Sequence, residues 1–404
     1  MVLLAPTGSG KTLAYLLPLL DMPEMKNPGV QVLIVAPSRE LSIQIEQVFK
    51  TMGSGYKVNC CYGGHMIKTE KNNLKHPPAV LIGTPGRIAD HIFHQRIDTT
   101  TIKVLILDEF DKSLEFGFQK EMSFIIRHLK HLHKRILTSA TQALEIPDFT
   151  GITHPVELNF LSDAQSETLT IKSVLSDKKD KLETLFRLLC HIGNKPALVF
   201  CNHRESVQRV SDALRDRSIP HEIFHGGLEQ DVRERTLLKF RNGSLHLLIT
   251  TDLAARGLDI PEIEYIIHYH LPLTEDGFIH RNGRTARMNA KGTTYLILSK
   301  EEKLPDYIKE QPETQELPEE SVFPDQTKWA TLYIGAGKKD RINKTDIVGL
   351  ILQKGKIQKD ELGLIDVLDH ASYAAVKSDK ISDVLRHIRN ETIKKKKVKF
   401  EITK

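Results

Sequence analysis

The segment Ala5-Pro6-Thr7-Gly8-Ser9-Gly10-Lys11-Thr12 follows the apolar run Val2-Leu3-Leu4 and precedes an apolar stretch from Leu13 to Leu20. The order strand, glycine-rich loop, helix lets backbone N–H groups and a helix N-terminus cradle phosphates. A lysine at that spacing reaches the terminal phosphates and a hydroxyl holds Mg²⁺. Thr7, Gly8, Ser9, Gly10, Lys11 and Thr12 are therefore assigned to a nucleoside triphosphate, with Thr12 on the metal side. Ala5 stands where the strict pattern has glycine, and a short side chain still permits the turn.

The rhythm begun there continues. Val32–Ala36, Val80–Ile82, Val104–Leu107 and Ile136–Thr138 read as buried parallel strands, separated by helices over 40–50, 87–93 and 119–132. The pattern restarts with strands at 197–201, 245–250, 265–269 and 293–298, and helices at 181–189, 207–216 and 232–242. This is α/β with parallel sheets, repeated in two similar domains joined near 158–178. From Lys303 the chain turns Pro- and Glu-rich and reads as a linker. A last unit has strand-like pieces at 331–334, 363–368, 373–376 and 398–402, with helices at 344–352 and 378–389, which fits a small α+β module. The expected division is 1–160, 175–302, a linker 303–326, and 327–404.

A chain of 404 residues with 40% hydrophobic and 27% charged residues has enough apolar content for two or three real cores. No apolar run approaches the ~20 residues of a membrane span. Cys60, Cys61, Cys190 and Cys201 lack paired CxxC spacing, which points to reduced thiols in the cytoplasm and away from a zinc site. The net charge of +5 is uneven: residues 325–404 carry 18 Lys/Arg against 11 Asp/Glu and include Lys394-Lys395-Lys396-Lys397. That asymmetry suggests a polyanion-binding module; a solvated basic tail is the bland alternative.

Two further groups carry chemistry. Asp108-Glu109 ends the strand 104–107, where Asp108 suits the metal side and Glu109 the activation of a water. The run His280-Arg281-Asn282-Gly283-Arg284-Thr285-Ala286-Arg287 places three arginines in eight residues, able to spread charge over a phosphoryl group or simply to form a basic surface turn.

In order along residues 1–300, these segments resemble the motifs of DEAD-box RNA helicases of superfamily 2. They comprise Ala5–Thr12, Pro37-Ser38-Arg39-Glu40-Leu41, Gly63-Gly64, Thr84-Pro85-Gly86-Arg87 and Asp108-Glu109-Phe110-Asp111. Ser139-Ala140-Thr141, Leu198–Asn202, Gln230 with Arg233, Thr250–Asp259 and His280–Arg287 complete the set. The unit 328–404 resembles the divergent RRM-like RNA-binding domain of DbpA-type bacterial helicases, through Trp329–Lys339, Thr345–Gly349 and Tyr373–Val376. The resemblance implies two tandem RecA-like domains and a small RRM-like domain.

It also implies roles. Lys11 and Thr12 bind phosphates and Mg²⁺, and Asp259 the ribose of ATP. Asp108 holds Mg²⁺ through water and Glu109 positions the attacking water. Arg284 and Arg287 act as arginine fingers. Asp111, Ser139, Thr141 and His280 couple nucleotide state to domain closure. Arg39, Gly64, Thr84 and Arg87, with Arg256 and Gly257, grip the RNA backbone. Lys338 and Lys339, beside Arg341 and Lys344, are candidate RNA contacts in the last unit, whose strands offer few aromatics for base stacking.

The expected activity is RNA-stimulated ATP hydrolysis that locally unwinds structured RNA. Ribosomal RNA is the expected partner, in assembly of the large ribosomal subunit, and the protein is expected to be a monomer. A non-catalytic RNA clamp or chaperone and a DNA-directed superfamily 2 motor are the competing readings. Two departures stand out. Phe110 occupies an alanine position and must pack beneath the site. The adenine-reading Q motif is not found before Val2, which leads to the expectation of an N-terminally truncated chain with weaker and less base-selective nucleotide binding.

Overall fold

A computed structural model describes residues 1–64, 67–141, 146–161, 169–254, 263–285, 292–318 and 327–403, which form two compact units. The first unit takes residues up to Glu167 together with a later stretch that carries the helix Glu275–Asn282. Its sheet has seven described strands, β1 (Val2–Leu4), β2 (Val32–Val35), β3 (Val58–Cys61), β4 (Val80–Gly83), β5 (Val104–Leu107), β6 (Lys134–Ser139) and β7 (Glu157–Asn159). All of them pair in parallel, in the order β3-β4-β2-β5-β6-β1-β7.

Side chains of β2 alternate between two apolar clusters: Leu33 and Val35 enter one, Val32 and Ile34 the other. A sheet covered on both faces needs such uninterrupted apolar strands. The helices that cover it are α1 (Lys11–Leu16), α2 (Arg39–Thr51), α3 (Ile67–Leu74), α4 (Pro85–Phe93), α5 (Phe110–Glu115) and α6 (Gln119–His128). Ser38 caps α2, its side chain accepting from the Leu41 N–H at 3.2 Å. Because β6 lies between β5 and β1, the C-terminal ends of three neighbouring strands deliver Asp108, Ser139 and the phosphate loop to one edge.

The second unit holds another parallel sheet. Its described strands are β8 (Leu169–Ser176), β9 (Ala197–Phe200), β10 (Glu222–Phe224), β11 (Leu247–Thr250), β12 (Tyr265–His268), β13 (Gly292–Ser299) and β14 (Glu313–Thr314), ordered β10-β11-β9-β12-β13-β8-β14. Its helices are α7 (Leu182–Ile192), α8 (Arg204–Asp216) and α9 (Gln230–Arg241); α10 is the helix Glu275–Asn282 of the first unit. Two expectations change. The stretch 158–178 is not merely a connection, because β8 pairs with β13 along eight residues. The expected linker supplies the edge strand β14, and Tyr307 donates to the Pro272 carbonyl.

The same unit ends in an antiparallel sheet, β16-β17-β15-β20, built from β15 (Trp329–Ile334), β16 (Leu362–Val367), β17 (Ser372–Lys377) and β20 (Phe400–Ile402). With α11 (Lys344–Gly349) and α12 (Ile381–Ile388) it encloses a core of Leu332, Ile334, Ala374, Val376 and Val384. The lysine run is no tail. Thr392–Ile393 and Lys396–Lys397 form a hairpin, β18 and β19, whose turn places Lys394 and Lys395 at φ 50° and 64°.

The other sheet face carries Tyr333 opposite Tyr373, ring centroids 5.6 Å apart. This face is covered by the segment that ends α9. Asn242 Nδ2 donates to Thr331 Oγ1 at 2.9 Å, Ser244 bonds the same oxygen at 2.6 Å, and Arg241 pairs with Asp366 at 3.0 Å.

Candidate active site

The phosphate loop turns through two glycines in the left-handed region, Gly8 at φ 83° and Gly10 at φ 89°. Side chains seldom adopt that geometry, so both positions call for glycine. Ser9 closes the turn through its N–H to the Pro6 carbonyl, and Gly10 starts α1, which carries Lys11 and Thr12. Lys11 Nζ folds back to donate to the carbonyls of Ala5 and Pro6. Burial lowers its proton affinity, while Asp108, Glu109 and Asp111 act to raise it. Thr7 packs against Gly283, where a β-carbon would come within 3.2 Å of the Thr7 Cβ.

At the end of β5 Asp108 is 3% exposed, and both its oxygens are engaged. Tyr15 donates its phenol to Oδ2 at 2.8 Å; the Thr138 hydroxyl and the Glu109 N–H, at 3.2 Å, point at Oδ1. Glu109 sits at φ 47°, a strained position for a residue with a side chain. Oε2 of Glu109 is buried without a hydrogen-bond partner. Burial, and then the neighbouring Asp108 charge, push this carboxyl up to about 7 against the opposing pull of Arg284. Arg284 is itself 2% exposed, and its charge also acts on Lys11.

Asp111 joins three segments. Its Oδ2 accepts from Thr141 Oγ1 at 3.4 Å and lies 3.2 Å from His280 Nε2 on α10. Burial acts to raise the Asp111 pKa, but the His280 contact and Lys112 hold it below the ordinary range. Ser139 Oγ bonds both the N–H and the carbonyl of Thr141 at 3.0 Å. Phe110 lies between the two acidic positions, fully buried in the core, with Phe149 at 6.5 Å.

A second group lies along the ends of β3 and β4. The Arg39 guanidinium rests on Gly63-Gly64; a β-carbon on Gly64, at φ 95°, would stand 2.7 Å from Nη1. Thr84 starts α4 with its hydroxyl unused for capping. Arg87 pairs with buried Glu70 at 3.2 Å, and Glu70 also bonds His91 at 2.8 Å and the Tyr62 N–H at 3.1 Å. Lys338 and Lys339 sit on an exposed turn after β15, Lys339 pairing with Asp369 at 3.5 Å. Arg256, Gly257, Asp259 and Arg287 lie outside the described residues.

The site thus brings together Lys11, Asp108, Glu109, Asp111, Ser139, Thr141, His280 and Arg284. Sequence reading missed Tyr15, Thr138 and Glu70, which hold Asp108 and Arg87. The Thr12 hydroxyl on α1 and the Asp108 carboxylate at the end of β5 are hard oxygen donors of the kind that suits Mg²⁺.

Comparison with known proteins agrees with this geometry. Residues 1–149 match the DEAD/DEAH box helicase family, 180–289 the helicase conserved C-terminal domain, and 331–402 the DbpA RNA binding domain. The chain is 28% identical to the ATP-dependent RNA helicase DbpA of Bacillus subtilis, over 99% of this chain and 90% of that protein. It is 33% identical to eukaryotic initiation factor 4A of Caenorhabditis elegans, over 71% of this chain and 73% of that protein. The structure of S. cerevisiae Dbp5 bound to RNA and ADP BeF3 is similar at a TM-score of 0.66 and 26% identity, covering 74% of this chain and 79% of that one. With its phosphate loop, its buried Asp108-Glu109 pair and its three matched domains, the chain belongs to the DEAD-box family of ATP-dependent RNA helicases.

Proposed function

We propose that this helicase hydrolyses ATP with Mg²⁺ when RNA is bound, and that its RNA is structured ribosomal RNA of the large subunit during assembly. One observation carries the catalytic part: Glu109, with an unpartnered buried oxygen, stands beside the doubly held Asp108, with the Arg284 charge acting on both Glu109 and Lys11. Mg²⁺, when bound, polarises the terminal phosphate and balances the charge that develops there. Thr12 and, through water, Asp108 would hold the metal, Lys11 and the loop N–H groups of Thr7–Gly10 the phosphates, and Asp259 the ribose. Glu109 orients the water and takes up its proton. Arg284 and Arg287 spread the charge of the transferring phosphoryl group. Asp111, Ser139, Thr141 and His280 report the nucleotide state to the RNA-gripping residues Arg39, Gly64, Thr84, Arg87, Arg256 and Gly257.

The match to the DbpA RNA binding domain over 331–402 supports RNA binding by that module, and the ribosomal target is what the resemblance to DbpA-type helicases implies. Lys338 and Lys339 are the proposed contacts, because the tyrosine face of that module is engaged by Asn242, Ser244 and Arg241. We further assign the protein to the cytoplasm, acting as a monomer; no described helix is long and apolar enough to cross a membrane. The domain division 1–160, 175–302 and 327–404 is proposed with one change, the second domain beginning at Leu169 so that it includes β8, and with 303–326 as a partly docked connection.

The test compares phosphate release stimulated by large-subunit rRNA fragments, by an unrelated structured RNA of equal length, and by DNA of the same sequence. Preferential activation by rRNA is expected. Equal activation by unrelated RNA overturns the ribosomal reading, and stronger activation by DNA overturns the substrate class.

A further inference from the structure

Tyr15 is 2% exposed on the inner face of α1 and packs in the cluster of Leu16, Ile34 and Ile106. Phenylalanine would fill that core equally well, so the phenol oxygen needs a separate reason. It donates to Asp108 Oδ2 at 2.8 Å. Thr12 and Tyr15 are three residues apart and so share one face of α1. From the opposite side, Thr138 on β6 donates to Asp108 Oδ1 and accepts the Glu109 N–H at 3.1 Å. A chain of bonds therefore runs from Tyr15 through Asp108 and Thr138 to the backbone of Glu109.

We propose that Tyr15 and Thr138 are positioning residues for the metal side of the site: Tyr15, on the face of α1 that it shares with Thr12, fixes Oδ2 of the Asp108 carboxylate, and Thr138 fixes the carboxylate plane and the Glu109 turn. This rests on the assignment of Thr12 and Asp108 to Mg²⁺ made above. A buried carboxylate with a donor on each oxygen, two of them on Oδ1, cannot rotate about its Cβ–Cγ bond without breaking a bond to a charged acceptor. A metal, or its bound water, then meets an acceptor already in place. Partners that orient a metal-binding group in this way typically affect metal affinity by about 10–100-fold when removed. Neither residue belongs to the phosphate loop, so nucleotide binding without metal is expected to be unaffected.

The probe is a fluorescently labelled ADP, bound by the full chain across a Mg²⁺ titration and again in EDTA. Tyr15→Phe keeps the ring and removes only the hydroxyl; Thr138→Val keeps the shape. Each is expected to raise the Mg²⁺ concentration at half-maximal binding enhancement by roughly tenfold, with affinity in EDTA unchanged within twofold. An unchanged Mg²⁺ requirement in both variants overturns the inference, as does an equal loss of affinity with and without metal. Asp108→Asn separates the two levels. If the parent chain shows a Mg²⁺ requirement that Asp108→Asn abolishes, failure of both hydroxyl variants sinks only this inference. If the parent shows none, the metal assignment itself fails. Should one variant fold poorly by thermal melting, the other still decides the matter.

Discussion

Replacing Phe110 by alanine removes a ring that is fully buried between Asp108-Glu109 and Asp111. The ring lies in the cluster of Leu105, Leu107, Ile125 and Leu137, with Phe149 against it. Burying a phenylalanine contributes about 1.5–3 kcal/mol by transfer alone. The cavity left by truncation brings the expected loss to about 3–5 kcal/mol, because β5 and α6 cannot close over it freely. Phe110→Leu, which keeps most of the volume, should cost under about 1.5 kcal/mol. Tryptophan fluorescence cannot read this change, since the single Trp329 lies in the C-terminal sheet. Amide hydrogen exchange in β2 and β5 can, and Phe110→Ala is expected to speed exchange there by about two to four orders of magnitude. A change below tenfold would refute the reasoning, since it would mean that the ring is not part of the support beneath the acidic motif.

Other consequences follow from single contacts. Glu109→Gln should keep ATP binding and lower hydrolysis by at least about 10²-fold, the usual effect of losing a general base, measured by single-turnover phosphate release. Asn242→Ala removes a buried donor to Thr331 and should loosen the C-terminal sheet by about 1–3 kcal/mol; Trp329, beside Gly243, reports it as an earlier fluorescence transition in urea. Glu70→Gln weakens the anchor of Arg87, and RNA affinity should fall several-fold while labelled-nucleotide affinity stays the same, in fluorescence anisotropy titrations. Burial pushes the Cys61 thiol up to about 12, so in the folded protein it should resist iodoacetamide at pH 8 and react fully in urea, read by peptide mass spectrometry.

What was legible in the sequence was chemistry tied to order. Gly8, Gly10, Lys11 and Thr12 could be placed because each backbone demand has its own residue type, and Asp108-Glu109 because the acids end an apolar strand. Buried strands such as β2 and β5 stood out for the same reason, both faces being apolar. β3 was missed because its middle, Asn59 and Cys60, is half exposed and breaks the apolar run. β8 alternates Leu-Thr-Ile-Lys and was read as connection, although it pairs along its whole length with β13. β14 has only exposed side chains and joins through its backbone, so no hydrophobic signal marks it. Tyr15 and Thr138 read as ordinary core positions of a helix and a strand; one oxygen on each makes the difference, and only the fold shows where that oxygen points. Glu70 belongs to α3, a polar helix without a clear apolar stripe, so its burial beneath Arg87 and His91 left no mark in the sequence.

The most direct measurement is phosphate release from ATP by this chain and by Glu109→Gln, each with and without structured RNA. Release by the parent chain that rises with RNA and disappears in Glu109→Gln is the expected result. Equal release by the two proteins, or release by the parent chain that does not respond to RNA, would contradict an RNA-gated ATPase built on Lys11, Asp108 and Glu109.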